Sequence, residues 1–189
     1  MKYTALFLLL LAPAYAQLGK PIANVAAAPA SGGVPGTKSL KITRGSFTEL
    51  EKRMDGMLLA VGSINEPLSL LGSTRGVYLE GYGLVFTSEL SLVMTSGISP
   101  FQKTISKEAV AQVHQRKVER LPQLQKTMRE MLRQAALALT QVPESQYVTL
   151  VVRLDYLPWE NTSGLPGQMI LRSDRHTAMS GEEIKMEEN

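Results

Sequence analysis

Cysteine is absent from the 189 residues of this chain. Its absence excludes a disulfide scaffold, a thiol nucleophile and a zinc site built from thiolates. It also removes the attachment point that the lipid of an exported lipoprotein would need. The fold must therefore be stabilised by its apolar core, and a domain of about 130 residues is large enough to bury roughly two-thirds of the surface that its unfolded chain exposes.

Histidine is scarce, since the chain contains only His114 and His176. A serine protease needs a histidine base between an aspartate and a nucleophilic serine. The glycine-rich segment around Gly81 superficially resembles the glycine-rich strand near the start of a trypsin-like protease, but neither histidine comes directly after it. The sequence also lacks a His-Glu-x-x-His motif and an aspartate-rich calcium loop. We therefore assign no catalytic residue, no metal ligand and no cofactor from the sequence.

Long apolar runs are also lacking, and the single short one lies at residues 5–12. It is less than half as long as the roughly 20 apolar residues that a membrane-spanning helix needs. Lys2 precedes the run and Ala14-Tyr15-Ala16 follows it, a pattern typical of a secretory signal peptide that is cleaved after Ala16. We expect an exported protein, periplasmic or extracellular, whose mature chain has no transmembrane segment.

The chain also has no large excess of charge of one sign. It contains 20 basic and 17 acidic residues, which give a formal net charge of +3. That balance gives no argument for a polyanionic partner from net charge alone. Together with the export signal, it leaves nucleic acid as an unexpected partner.

The composition predicts four segments. Residues 1–16 form the signal peptide, and residues 17–39 form a disordered tether rich in Ala, Pro and Gly, because no apolar periodicity is present there to offset the entropy of ordering. Residues 40–173 form one domain. Residues 174–189 are predicted to be a disordered acidic tail, since the last eight contain four glutamates and one lysine.

Two helical segments are indicated by apolar residues that repeat at spacings of three and four. The first follows a capping box formed by Ser46 and Glu49 and ends near Gly62. The second begins after Ser106, and we expect Pro122 to break, kink or restart it because proline lacks the backbone N–H and clashes with the preceding turn.

Strands are indicated where apolar and polar residues alternate. Residues 77–94 predict one strand in which Gly81 and Gly83 mark a bulge or a close approach by another group. Residues 147–157 predict the strongest strand, and residues 168–172 predict its hairpin partner. The resulting order, α-β-α-α-β-β, favours an α+β domain of two layers, with a mostly antiparallel sheet covered on one face by helices.

One candidate binding site consists of carboxylates near the only tryptophan. Glu80 lies on the first predicted strand, whereas Asp155, Trp159 and Glu160 lie at the end of the second. If the two strands are neighbours, Glu80 faces the other three, and paired carboxylates beside a tryptophan suit a sugar. The alternative is that these residues are solvated charges or partners of nearby arginines.

A second candidate is a basic face on the long helical segment. Residues 103–133 hold eight basic and three acidic residues. The candidate face consists of Arg116, Lys117, Arg120, Arg129 and Arg133. It would suit anionic lipid headgroups, a cell-wall polymer or an acidic protein, while the lack of interleaved aromatics argues against single-stranded nucleic acid. The alternative is an ordinary solvated helix face.

Four stretches of the sequence resemble a family of uncharacterised exported bacterial proteins: residues 75–89, 98–101, 119–123 and 159–166. The resemblance covers most of residues 68–172. It implies a bacterial envelope origin and a single domain. The family has no assigned activity, so the resemblance gives no residue a role.

These observations favour an exported, non-enzymatic envelope or secreted interaction protein whose partner is an unknown envelope protein or polymer. The alternative is a small hydrolase or carbohydrate-binding protein that uses the carboxylates near Glu80 and Trp159. Whether any catalysis occurs, what the ligand is and how many copies associate are left open by the sequence.

Overall fold

The computed structural model describes residues 42–63, 65–95, 104–182 and 184–189. The predicted signal peptide and tether lie outside these residues. Within the described ranges the elements are α1 (Arg44–Leu59), β1 (Ser69–Leu70), β2 (Arg75–Leu79), β3 (Gly83–Ser91), α2 (Lys107–Ala138), β4 (Tyr147–Leu154), β5 (Gln168–Asp174), α3 (Arg175–Ser180) and β6 (Met186–Glu188). Among these helices, none has the length and apolar character needed to cross a membrane.

The strands form one sheet in the order β1-β3-β4-β5-β6, and β2 pairs with β3 on the same side as β1. Every pairing is antiparallel except that of β3 with β4, which is parallel. A parallel pair needs a crossover connection, and α2 lies within that connection. The predicted α+β class and the mostly antiparallel sheet are confirmed.

One face of the sheet is covered by the helices. Phe86, Leu150 and Leu171 lie side by side on β3, β4 and β5, and each is completely buried. Met54 of α1 and Met128 of α2 are also completely buried and belong to the same apolar core. The molecule therefore has two layers, with its core between the helices and one face of the sheet.

The segment predicted as a single strand over 77–94 is a hairpin instead. β2 ends at Leu79 and β3 begins at Gly83, and the turn between them places Gly81 at φ +77° and Gly83 at φ +132°. A Cβ atom on Gly83 would overlap the backbone of Tyr147. The two glycines therefore serve a tight turn and the close approach of β4, because only glycine adopts these angles without strain.

Both long helices begin at side-chain caps. The Ser106 hydroxyl accepts a hydrogen bond from the N–H of Ala109, as predicted for α2. In α1 the cap is Thr43, whose hydroxyl accepts from Ser46, so that helix begins before the predicted capping box. α2 continues through Pro122 without ending, because the burial of its apolar residues on the sheet offsets the missing hydrogen bond.

The C-terminal segment is part of the fold, although residues 174–189 were expected to be a disordered tail. α3 begins after Asp174, whose carboxylate accepts a hydrogen bond from the N–H of Thr177 at 2.8 Å. β6 pairs antiparallel with β5, with Leu171 opposite Met186. The acidic composition of this segment did not reveal these contacts.

Arg175 explains why the chain stays ordered after β5. Its side chain is buried, with Nε donating to the carbonyl of Ala136 at 2.7 Å and Nη1 donating to the carbonyl of Val142 at 3.1 Å. Ala136 lies in the last turn of α2, where the carbonyls have no partner within the helix. A cation at this end also interacts favourably with the helix dipole.

The outer edge of β2 is closed by side chains of α1. The Glu51 carboxylate accepts a hydrogen bond from the N–H of Gly76 at 2.7 Å and pairs with Arg44 at 2.9 Å. The Asp55 carboxylate accepts from the N–H of Thr74 at 2.8 Å. Unpaired N–H groups on an edge strand can pair with a strand of another chain. These carboxylates occupy such groups, so this part of the edge is not open to a further strand.

Candidate functional site

The structure does not bring Glu80 together with the other predicted carboxylates. Glu80 lies in the turn before β3, whereas Asp155 follows the end of β4. Because the two strands run parallel with Gly83 opposite Tyr147, the carboxylates lie at opposite ends of the strands, about 25 Å apart at roughly 3.3 Å per residue. The two carboxylates of a glycosidase lie within about 10 Å of each other. The predicted grouping is therefore wrong for Glu80.

The residue that Glu160 does meet is Lys117, which the sequence placed on the basic face. Lys117 Nζ and Glu160 Oε2 form an ion pair in which each side chain is only 1% exposed. The ammonium also lies 4.7 Å from the centroid of the Tyr156 ring. Ser91 and Thr95 complete what we call the polar cluster, with the Thr95 hydroxyl donating to Glu160 at 3.2 Å and the Ser91 oxygen 3.5 Å from Nζ.

The polar cluster lies at the carboxyl ends of the parallel strands. Ser91 ends β3, Tyr156 and Glu160 follow β4, and Lys117 comes from the crossover helix. Ligands of open α/β sheets often bind at this position. Here, however, both partners of the ion pair are sealed from solvent, so neither charge contacts a dissolved substrate in this structure.

The polar cluster instead connects the loop of residues 155–167 to α2, through the contacts of Lys117 with Glu160 and Tyr156. Burial, with a further contribution from the Glu160 carboxylate, raises the pKa of Tyr156 to about 12. The phenol therefore stays protonated and donates to the carbonyl of Pro166 at 2.7 Å. His114 adds a second connection, since its Nδ1 lies 2.9 Å from the carbonyl oxygen of Asn161.

The two other predicted carboxylate-site residues lie beside the cluster without joining it. Asp155 lines a small pocket of about 130 Å³ together with Ser91 and Thr95. The indole N–H of Trp159 is buried and has no hydrogen-bond partner among the described residues.

The predicted basic face does not form one surface. Lys117 is buried, and Arg116 pairs with Glu66 at 3.1 Å. Arg120 also pairs with Glu66 at 3.1 Å and donates to the carbonyl of Leu92. These three cations therefore contact residues of neighbouring loops, and Lys117 and Arg120 are largely withdrawn from solvent while Arg116 stays partly exposed.

The remaining two residues of that face project elsewhere. Arg129 follows Arg116 by 13 residues, which at about 100° per residue turns it to nearly the opposite side of α2. Arg133 is paired with Glu130 at 2.9 Å. Arg129 and Arg133 line a cleft of about 390 Å³ between α2 and the segment after α3, where Ile184 contributes an apolar wall.

A different surface is the uncovered side of the sheet, which we call the open face. In the part of the chain that the structure describes, all three helices pack against the opposite side. The side chains that alternate onto the open face include Arg75, Val77, Leu79, Val85, Thr87, Glu89, Tyr147, Thr149, Val151, Arg153, Gln168, Ile170, Arg172, Asp174 and Glu187.

The open face has an apolar centre. The half-buried Val151 and Ile170 lie next to each other on β4 and β5 and form this centre. The more exposed Val77 and Leu79, at 47% and 46%, lie on the edge strand β2, and Tyr147, at 41%, lies at the start of β4. Large apolar side chains scattered singly need no explanation, whereas larger exposed apolar patches rimmed by polar residues are typical of interaction sites.

Arginine and tyrosine surround that centre. Arg153 pairs with Glu89, with Nε 3.1 Å from the carboxylate, and the Arg172 guanidinium lies 5.1 Å from the centroid of the Tyr147 ring. The Tyr82 ring is 5.5 Å from that of Tyr147. These are the residue types enriched in protein interfaces, where an apolar core is enclosed by a polar rim.

Beside the rim lies a shallow groove of about 340 Å³, lined by Leu71, Arg75, Glu89 and Arg153 among others. The sequence contains one signal for this surface. In both β3 and β4, the positions that alternate with the core residues include valines, Val85 and Val151. A strand face turned to water has less reason to carry them.

Comparison with protein-family models, with curated proteins and with solved structures found no match to this chain. The resemblance to an exported bacterial family therefore stays a prediction. Among the described residues, no three histidine, aspartate or glutamate side chains converge as metal ligands would.

Proposed function

We propose that this chain is an exported, non-enzymatic interaction protein that binds a partner protein through the open face. The observation that carries the proposal is the apolar centre of that face, enclosed by arginine and tyrosine and uncovered by any described helix. The signal-peptide pattern of residues 1–16 supports export.

The size of the open face suits a modest interface. Five strand positions about 4.8 Å apart span roughly 20 Å, and six residues along a strand span about the same distance. The face is therefore on the order of 400 Å², compared with the ~800 Å² that one partner contributes to a standard interface. We expect binding that is transient unless the neighbouring loops add contacts.

Two observations weigh against the alternative of a small hydrolase or carbohydrate-binding protein. Glu80 lies at the opposite end of the parallel strands from Asp155, and the Glu160 carboxylate is already paired with Lys117 in a buried ion pair. Glu80 is therefore far from the carboxylates that follow β4, and the Glu160 carboxylate is not exposed to a ligand.

Site-specific photo-crosslinking tests the proposal. A photoreactive amino acid replaces Val77 on the open face or, as a matched control, Leu137 on α2, which is 46% exposed against 47% for Val77. In the native host, we expect irradiation to give one discrete protein adduct from position 77 and none from position 137. Arg172→Glu should abolish that adduct, and circular dichroism checks that this variant is folded. Equal labelling from both positions, or none from either, contradicts the proposal.

A further inference from the structure

We infer that the protein partner of the open face is a second copy of this chain. The inference rests on the proposed function, because it concerns the same surface. Its basis is one row of side chains across the sheet: Arg75, Thr87, Val151, Ile170 and Glu187 occupy consecutive register positions from β2 to β6. A cation lies at one edge of this row and an anion at the other, and the three uncharged side chains between them are those of Thr87, Val151 and Ile170.

This arrangement complements itself under two-fold symmetry. Two sheets that pack face to face lie about 10 Å apart, with their strands within about 30° of each other. A two-fold axis along β4 exchanges β2 with β6 and β3 with β5. Arg75 of one copy then lies over Glu187 of the partner subunit, and the symmetry repeats the contact. One row of the sheet therefore supplies two intermolecular ion pairs.

The residues on the axis meet their own copies, so a charge there would repel itself. Arg153 is the only charged open-face residue on β4, and Glu89 of the same copy already pairs with it. The rest of the axis is uncharged, formed by Tyr147, Thr149 and Val151. The face therefore presents no uncompensated like-charge contact at the centre of such a dimer.

The same packing covers the apolar side chains near the axis. Tyr147, which is 41% exposed, and the half-buried Val151 lie on the axis and would pack against their own copies, whereas Val77 and Leu79 lie on β2 in register rows beyond the end of β6. Because the open face is smaller than a standard interface, we expect a reversible dimer with a dissociation constant in the micromolar range or weaker, since such small interfaces are typical of transient complexes.

Sedimentation velocity of the mature chain from about 1 μM to about 1 mM measures the association. We expect a monomer–dimer equilibrium that Arg75→Glu or Glu187→Arg weakens at least tenfold and that the double swap Arg75→Glu/Glu187→Arg restores. Arg129→Glu on the far side of α2 serves as the control and should leave the equilibrium unchanged. A chain that is monomeric throughout, or reversals whose effects simply add, would overturn the inference.

The crosslinks from position 77 separate this inference from the proposed function. An adduct with a different protein, combined with a monomeric chain, retains the function and overturns the second-copy assignment. An adduct with the mass of two chains supports both. A crosslink within one chain, to residues 17–41, overturns both, because the open face would then be covered by the chain's own N-terminal segment. Thermal unfolding of each reversal variant confirms that it is folded.

Discussion

Lys117 and Glu160 form an ion pair with each side chain 99% removed from solvent, although the two residues are 43 positions apart in sequence. Removing two charges from water costs several kcal/mol per ion, and their attraction repays this only with good additional contacts. Here those contacts are the Thr95 hydroxyl and the ring of Tyr156. The pair therefore fixes one arrangement of α2 and the loop after β4 without guaranteeing a large net stabilisation.

Replacing one partner of this ion pair should destabilise the protein more than replacing both partners. We expect Lys117→Met to lower the free energy of unfolding by about 3–5 kcal/mol, because it leaves the Glu160 carboxylate buried and unpaired. The double variant Lys117→Met/Glu160→Leu should recover most of that loss. Urea unfolding monitored by circular dichroism measures both. Lys52→Ala is the control, since its pair with Glu49 is mostly exposed and should contribute less than about 1 kcal/mol. A double variant as unstable as the single one would contradict this account.

The backbone at Gly83 should not tolerate a side chain. Its φ of +132° disfavours other residues, and a Cβ atom would overlap the backbone of Tyr147 on the neighbouring parallel strand. We expect Gly83→Ala to reduce the free energy of unfolding by more than about 1 kcal/mol. Gly56 gives a matched control: it lies inside α1 with open space around it, so Gly56→Ala should stabilise the protein by about 0.5–1 kcal/mol. If the two substitutions shift the urea midpoint in the same direction, the turn geometry is not what glycine supplies here.

The C-terminal segment should unfold with the domain, because Arg175 connects it to α2. Arg175→Met leaves the carbonyls of Ala136 and Val142 without their buried donor, and we expect a loss of about 2–3 kcal/mol. Hydrogen exchange should also speed up at the β6 amides that pair with β5. Arg129→Met, which changes an exposed arginine, should stay within about 0.5 kcal/mol of the parent. Unchanged exchange in β6 would show that the segment is held independently of Arg175.

Local patterns predicted the parts of this fold that local forces determine. The Ser106 cap, the apolar periodicity of α2 and the hairpin of β4 with β5 depend on neighbouring residues, and each was found. The alternation of apolar and polar residues over 77–94 did not reveal a hairpin, because Tyr82, which lies in the turn, fits the same alternation. Composition also did not reveal the C-terminal segment, whose contacts with α2 include those of the buried Arg175.

The candidate site was less predictable because its members come from distant parts of the chain. A basic stretch and a carboxylate pair were both visible in the sequence, but nothing local indicated that Lys117 of the first would neutralise Glu160 of the second. Helical geometry alone would have separated Arg129 from Arg116, since 13 residues turn the helix to nearly its opposite side. The open face depends on which strands are neighbours, and that order follows from the parallel pairing of β3 with β4.

Tyr156 should titrate later than an ordinary tyrosine. Its pKa is raised from 10.0 to about 12, first by burial and then by the nearby Glu160 carboxylate. The folded state therefore holds the phenolic proton more tightly than the unfolded chain does. The resulting contribution to stability is fully present below pH 10 and is lost as the pH rises towards 12, because the unfolded form ionises first.

Ultraviolet absorbance of tyrosinate follows this titration directly. In the folded protein we expect Tyr156 to ionise near pH 12, and Tyr156→Phe should remove that late step. The substitution should also make the free energy of unfolding fall less steeply between pH 10 and 12, since one group no longer differs in proton affinity between the two states. A late step that persists in Tyr156→Phe would assign it to another phenol and contradict the burial of Tyr156 beside the ion pair.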